Sequence, residues 1–230
     1  YFCATTLTYF LIDNLIKKIK SDFELSNLMI YVLLATVCDV MQLRKINKII
    51  AINVIKNFDI KKNDAFRILF EQLNIKKKLN VDDLGYLIGP ILNSGGRLGY
   101  SSYATELLTS KNPTITKKRS VELIKLNNKR KELEQNTLNI IDFNKIEKEN
   151  KNVIIYFNPN INEGLIGIIA SRLKDYFGKP SIVITRSKNI FKGSARSTLN
   201  YNIGYLIKSL FDKKIIEKGG GHNMAAGFTI

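Results

Sequence analysis

The only histidine of the chain, His222, stands directly behind three glycines in GGGHNMAAGFTI, residues 219–230. Consecutive glycines let the backbone adopt conformations closed to other residues and let a ligand approach closely. An imidazole beside them can donate a hydrogen bond to an anion. The alternative is a tight turn at Gly219, Gly220 and Gly221 with His222 an ordinary loop residue, since glycine runs are common turn punctuation. A second stretch, KGSARS at 192–197, combines the hydroxyls of Ser194 and Ser197, the Arg196 guanidinium and a glycine-opened backbone. Those are the parts of a phosphate contact. In a third, NSGGRLG at 93–99, Ser94, Gly95 and Gly96 free the backbone, and Arg97 either presents a bidentate fork to phosphate or belongs to a structural loop. The fourth is Asp39, a carboxylate in the apolar run ATVCDVMQL. Buried, it needs a metal, a cation or backbone amides; the competing roles are metal ligation and a turn cap paired with Arg44.

No self-contained active site emerges from these residues. A single histidine with no nucleophile elbow around any serine excludes a Ser-His-Asp set, and no His or Cys cluster has zinc spacing. GLIG at 164–167 lacks the further glycine and the acidic partner of a dinucleotide fingerprint. Net charge is +16, from 36 Lys and Arg against 20 Asp and Glu. Such an excess favours polyanionic partners, because basic side chains displace the counterions condensed on nucleic acid. Richness in Lys, Asn and Ile, whose codons are A/T-rich, accounts for part of it. Cys3 and Cys38 form no CxxC and no disulfide framework, so a reducing cytoplasm is expected. No apolar run is long enough to span a bilayer.

The elements that must position these residues follow from periodicity. Leu7, Phe10, Leu11, Leu15 and Ile19 recur at helical spacing. Further helices are expected over 28–40, 46–58 and 63–73, the last capped by Asn63 or Asp64, and a short one over 82–88 is stopped by Gly89-Pro90. GPILNSGGRLGY then reads as a loop. From Thr114 or Thr116 to about Lys151 a polar stretch without Gly or Pro reads as a solvated helix linking two domains. After Asn152 strands at 153–157, 180–185, 190–197 and 224–230 alternate with helices at 164–178 and 203–211, which indicates an α/β unit.

In order and spacing, the stretches resemble the RecJ family of single-strand-specific DNA exonucleases, members of the DHH phosphoesterase superfamily. ATVCDVMQLRKINKII is similar to the family's GTVADVVPL segment, LGYLIGPILNSGGRLG to LGF…GPRINAAGRLG, and LNNKRKELE to the LN…R…E opening of the linking helix. NEGLIGIIASRL, KGSARS and GGGHNMAAGFTI resemble HEGVIGIVASRL, GSGRS and GGHAMAAG. The resemblance covers nearly the whole chain. It implies an α/β protein: the helical C-terminal part of a DHH domain over 1–112, a long linking helix over 113–151, and a compact α/β DHH-associated domain over 152–230, truncated at its end. By the same resemblance Asp39 falls on an aspartate binding catalytic Mn²⁺ or Mg²⁺, with most metal ligands upstream of Tyr1. Ser194, Arg196, Gly220, Gly221 and His222 fall on nucleic-acid-binding motifs that receive the 5′ end of single-stranded DNA, and Asn93 and Arg97 on a loop facing the interdomain cleft. The implied reaction is two-metal phosphodiester hydrolysis in recombination and repair, with this segment silent by itself. Ile91 replaces a cleft arginine, and Ala195 replaces a glycine where its methyl is expected to hinder backbone approach. Alternatives are a relative acting on short RNA or cyclic dinucleotides, an inactive nucleic-acid-binding paralogue, and the editing-associated domain of alanyl-tRNA synthetases.

Overall fold

The computed structural model describes residues 1–230. The fold is mixed α/β and divides into two compact units: Tyr1–Gly95 with Ser101–Asn127, and Gly96–Tyr100 with Asn128–Ile230. We refer to these as units 1 and 2.

Unit 1 is helical. It contains α1 (Ala4–Ile19), α2 (Met29–Cys38), α3 (Lys45–Asn57), α4 (Asp64–Gln72), most of α5 (Gly89–Arg97), α6 (Ser102–Thr109) and the first half of α7 (Pro113–Asn139). α2 is apolar nearly all round, and its Leu33 packs with Phe66, Leu69, Leu84, Ile88, Ile91, Leu107 and Leu123 into the core. Asn63 caps α4 as its sequence predicts, its Oδ1 accepting from Phe66 N at 3.2 Å. α1 forms where periodicity places it but turns its apolar stripe outward, leaving Leu7, Leu11 and Leu15 exposed. Its buried contact is instead Thr6, hydrogen-bonded with Cys3 and Thr36.

The expected loop GPILNSGGRLGY is largely helix. A π-helical turn at Asp83–Ile88 runs straight into α5. Pro90 sits where the π-helical turn hands over to α5, a place at which the regular helix bonding is already interrupted. Ser94 is buried and donates to the Ile91 and Leu123 carbonyls at 2.6 and 3.1 Å. Gly89 is required by packing: a Cβ there would lie 2.7 Å from Cys38 Sγ. Ile91 is buried in this core.

α7 also departs from expectation. It ends at Asn139, and a separate α8 (Phe143–Glu149) opens where Asp142 Oδ1 accepts from Lys145 N at 2.9 Å. Nor is α7 simply solvated, since Thr116, Ser120, Leu123 and Glu134 are buried.

Unit 2 is built on five strands, β1 (Ile154–Phe157), β2 (Ser181–Ser187), β3 (Ile190–Arg196), β4 (Lys218–His222) and β5 (Ala225–Thr229), in the order β1-β2-β3-β5-β4. β1 and β2 are parallel, joined through α9 (Ile166–Phe177); the other pairs are antiparallel. Side chains alternate across a strand. Val183 therefore joins Ile169, Ala170 and Leu173 on the α9 side. Ile182, Ala195 and Ala226 join Ile203 and Ile207 of α10 (Ile203–Asp212) on the other. α9 packs on β2 and β3, and α10 on β4 and β5.

Candidate nucleic-acid interface

The glycine run is not the turn. Lys218–His222 is an extended edge strand, and the chain reverses in the next two residues, Asn223 and Met224. None of the three glycines takes a positive φ. Two serve close packing: a Cβ on Gly219 would lie 2.7 Å from Ile207 Cγ2 and from Ile216 Cδ1, and one on Gly221 would lie 2.4 Å from the Ala225 carbonyl oxygen. Gly220 faces open space. α10 approaches so closely that a Cβ on Gly204 would lie 2.8 Å from the His222 carbonyl oxygen.

Register then brings the two phosphate-like stretches onto one face. Arg196 pairs with Ala225, which pairs with His222; Ser194 pairs with Gly227, which pairs with Gly220; Lys192 pairs with Thr229, which pairs with Lys218. Each row lies on the α9 side, where the β5–β4 half of the sheet is free of α9. The result is a shelf floored by Ala225, Gly227 and Gly220, with Arg196 and Ser194 on one flank and His222 on the other. Two strand spacings, about 10 Å, separate the flanks. His222 Nδ1 accepts from Met224 N at 3.3 Å, so the neutral ring carries its proton on Nε2 as a donor. Ala195 is buried on the α10 side. Its methyl therefore does not crowd the shelf, contrary to the sequence expectation.

The Arg196 flank gathers groups whose chemistry suits an anion. Arg196 Nη1 donates to Ser194 Oγ at 3.1 Å and to the Ala195 carbonyl at 2.8 Å. Gly167, in the first turn of α9, leaves room for it: a Cβ there would meet Arg196 Nη2 at 2.7 Å and Ser194 Oγ at 3.1 Å. No side chain caps α9, so its amino-terminal amides and dipole favour negative charge at that point. Arg97 closes the group, its Nη1 donating to the Gly164 carbonyl at 3.1 Å. Burial, and then Arg130, push the Arg97 pKa below the ordinary arginine value, while Glu134 opposes this. Burial, and then Arg97, do the same for Arg196. Two partly dehydrated guanidiniums held near each other are stabilised by an anion between them.

Residues that the sequence did not single out support this group. Glu134 is 6% exposed and accepts from Arg130 Nη1 and Arg172 Nε, each at 2.7 Å. The Arg130–Glu134 spacing of four is a readable helix pair; its burial is not readable. Glu163 accepts from Ser187 Oγ and pairs with Lys192 at 2.9 Å, fixing the segment before α9 to the β2–β3 hairpin. Asn162 Oδ1 accepts from Gly164 N at 2.9 Å within that segment.

Asp39 and Asn93 lie in unit 1, apart from this group in the division of the chain. Asn93 is exposed on α5, on a helix and not a loop, and with Cys38 and Gly89 lines a cavity of about 390 Å³. Asp39 is exposed, not buried: it ends α2, its carboxylate makes no hydrogen bond, and it does not pair with Arg44. Its position is fixed by the helix stop. Met41 N bonds back to Thr36 O at 3.0 Å, which puts Val40 at φ +54. A β-branched residue is strained there, and Val40 is 86% exposed. Val40→Gly is therefore expected to raise stability by about 0.5–1 kcal/mol, read as a higher unfolding midpoint. No three His, Cys, Asp or Glu side chains gather to hold a metal ion. No helix is long and apolar enough to cross a membrane.

Comparison with known proteins supports this fold. Residues 150–230 match the DHHA1 domain family. The single-stranded-DNA-specific exonuclease RecJ of Haemophilus influenzae is 31% identical over 215 residues, covering 89% of this chain and 37% of that protein. RecJ of Escherichia coli is 31% identical over 219 residues, 90% of this chain and 38% of that one. The crystal structure of Thermus thermophilus RecJ in complex with Mn²⁺ superposes with a TM-score of 0.75 at 23% identity, over 89% of this chain and 30% of that one. The chain thus spans about two fifths of the length of these curated relatives. It carries a DHHA1 domain over residues 150–230 and is similar to RecJ over about nine tenths of its own length.

Proposed function

We propose that this chain is part of a single-stranded-DNA exonuclease of 5′ to 3′ polarity acting in recombination and repair. The shelf of unit 2 receives the strand, and Arg97, Ser194 and Arg196 receive its terminal phosphate. The observation that carries this is the convergence of two partly dehydrated arginines, one hydroxyl and the uncapped start of α9 at one end of a shelf floored by two glycines and an alanine. A phosphomonoester satisfies all of them at once. The open Gly220–Gly227 floor then lets the sugar-phosphate backbone lie against the sheet, with His222 Nε2 donating at the far flank.

The metal that RecJ structures carry, Mg²⁺ or Mn²⁺, would supply a hydroxide at neutral pH and stabilise charge on the phosphoryl oxygens. Asp39 fits one part of such a site: an oxygen donor suited to these ions, exposed, without a competing hydrogen bond, and held at a fixed helix end. The remaining ligands are proposed to belong to the larger part of the protein that this chain does not span. Free Cys3 and Cys38 fit a reducing cytoplasm.

The test is binding of a short single strand bearing a 5′-phosphate or a 5′-hydroxyl, at two salt concentrations. The phosphorylated end is expected to bind about tenfold more tightly, as charge-assisted hydrogen bonds require, and Arg196→Ala to abolish that preference. Binding that ignores the end and vanishes with salt would reduce the site to the net charge and sink the reading.

A further inference from the structure

We propose that unit 2 has a second contact for single-stranded nucleic acid, separate from the shelf: the groove between β4 and α10, beyond the edge of the sheet. The inference rests on the reading of the shelf as a strand-binding surface. The groove measures about 500 Å³ and runs along Gly219–His222 on one wall and Tyr205, Lys208 and Phe211 on the other. Glycines at 204 and 219 create it, since they let α10 lie directly on the edge strand. α10 buries Ile203 and Ile207 beneath the sheet, which leaves Tyr205 and Lys208, one turn apart, on the groove side.

The lining has the chemistry of a strand-tracking surface. Tyr205 is 74% exposed and is in ring contact with no other aromatic residue, so its face is free to stack a base. Lys208, on the groove wall, forms no ion pair. Lys208 and Asp212 are the charged residues of the lining, and Lys213 and Lys214 directly after Asp212 give this end of α10 three cations to one carboxylate. Positive charge beside an exposed aromatic ring favours a polyanion with bases. A strand-adding peptide is the poorer fit, because an edge made of three glycines offers no side-chain pockets to read one. Gly220 and His222 border both shelf and groove, so a strand leaving the shelf past His222 reaches Tyr205 without crossing another element.

The experiment measures affinity of this chain for 5′-phosphorylated oligonucleotides of increasing length, with 2-aminopurine placed at successive positions. Tyr205→Ala and Lys208→Gln are exposed substitutions that leave the buried face of α10 intact. Each is expected to weaken the long oligonucleotide roughly tenfold, within the range for loss of one stacked base or phosphate contact, and Tyr205→Ala to relieve 2-aminopurine quenching at one internal position. Dinucleotide affinity and the 5′-phosphate preference should be unchanged in both. If length dependence and quenching survive both substitutions while Arg196→Ala still removes the phosphate preference, the groove is off the path and this inference fails, with the shelf reading intact. If Tyr205→Ala instead turns a dimer into a monomer at unchanged DNA affinity, the groove holds a second copy of the chain and the proposal is overturned.

Discussion

Replacing Gly164 with alanine is expected to lower stability by about 3 kcal/mol, the upper end of overpacking penalties, and to abolish 5′-phosphate preference. A Cβ at this position would stand 2.0 Å from the carbonyl oxygen of Arg97, 2.8 Å from its carbonyl carbon and 2.9 Å from its Cα. All three are backbone atoms, so no side-chain rotation relieves the overlap. The 96–100 segment must lift away from residues 162–165, and Gly99 at φ +92 already commits that segment to a left-handed turn. Lifting it breaks the bond from Arg97 Nη1 to the Gly164 carbonyl and withdraws Arg97 from Arg196. Stability and recognition are therefore lost together. Gly220→Ala is the control, because its Cβ would meet nothing within 4 Å; its unfolding midpoint should match the parent within about 0.5 kcal/mol. Thermal unfolding and oligonucleotide anisotropy on the same samples read both effects, and an unchanged midpoint for Gly164→Ala would contradict the packing argument.

Gly164 also illustrates which parts of this molecule the sequence announces. The strands and helices of unit 2 were legible because Val, Ile and Phe runs alternate with a helical period, and β1, β2, β3, α9 and α10 lie where that grammar puts them. The glycines were legible as important but not as to kind. At Gly219 and Gly221 conformational freedom suggested a turn, whereas their φ angles are ordinary and their use is to let α10 and β5 come close. The same error turned GPILNSGGR into a loop, although Gly89, Ser94 and Gly95 are small because a buried helix passes there. Residue type tells that space is short; only the fold tells which neighbour takes it. Asp39 shows the converse. An apolar neighbourhood in sequence suggested burial, but the helix stop at Val40 turns the carboxylate outward. The pairing of Arg196 with His222 across Ala225 depends on β5 lying between β3 and β4. No local pattern encodes that order.

Glu134 carries the second large expectation. Its carboxylate is buried and receives Arg130 and Arg172 at 2.7 Å each, which ties α7 to α9. Removing one member of a buried ion pair costs about 3–5 kcal/mol. Glu134→Ala should fall near the lower end, about 3 kcal/mol, because Arg172 is more than half exposed and can turn to water. Glu134→Gln keeps the shape and one acceptor oxygen, but its amide nitrogen must then face one of two arginine donors, so most of the loss should remain. Recognition should move the other way. Glu134 is the carboxylate that opposes the effect of Arg130 on Arg97, so its neutralisation leaves the arginine group with more uncompensated positive charge. At low salt the folded Glu134→Gln protein is expected to bind the phosphorylated strand at least as tightly as the parent. Loss of stability with retained or increased affinity would mark Glu134 as a support for the anion seat and not a participant in it. Unchanged stability would mean that Arg130 and Arg172 draw nothing from the carboxylate between them, and the account of how α7 holds this site would be wrong.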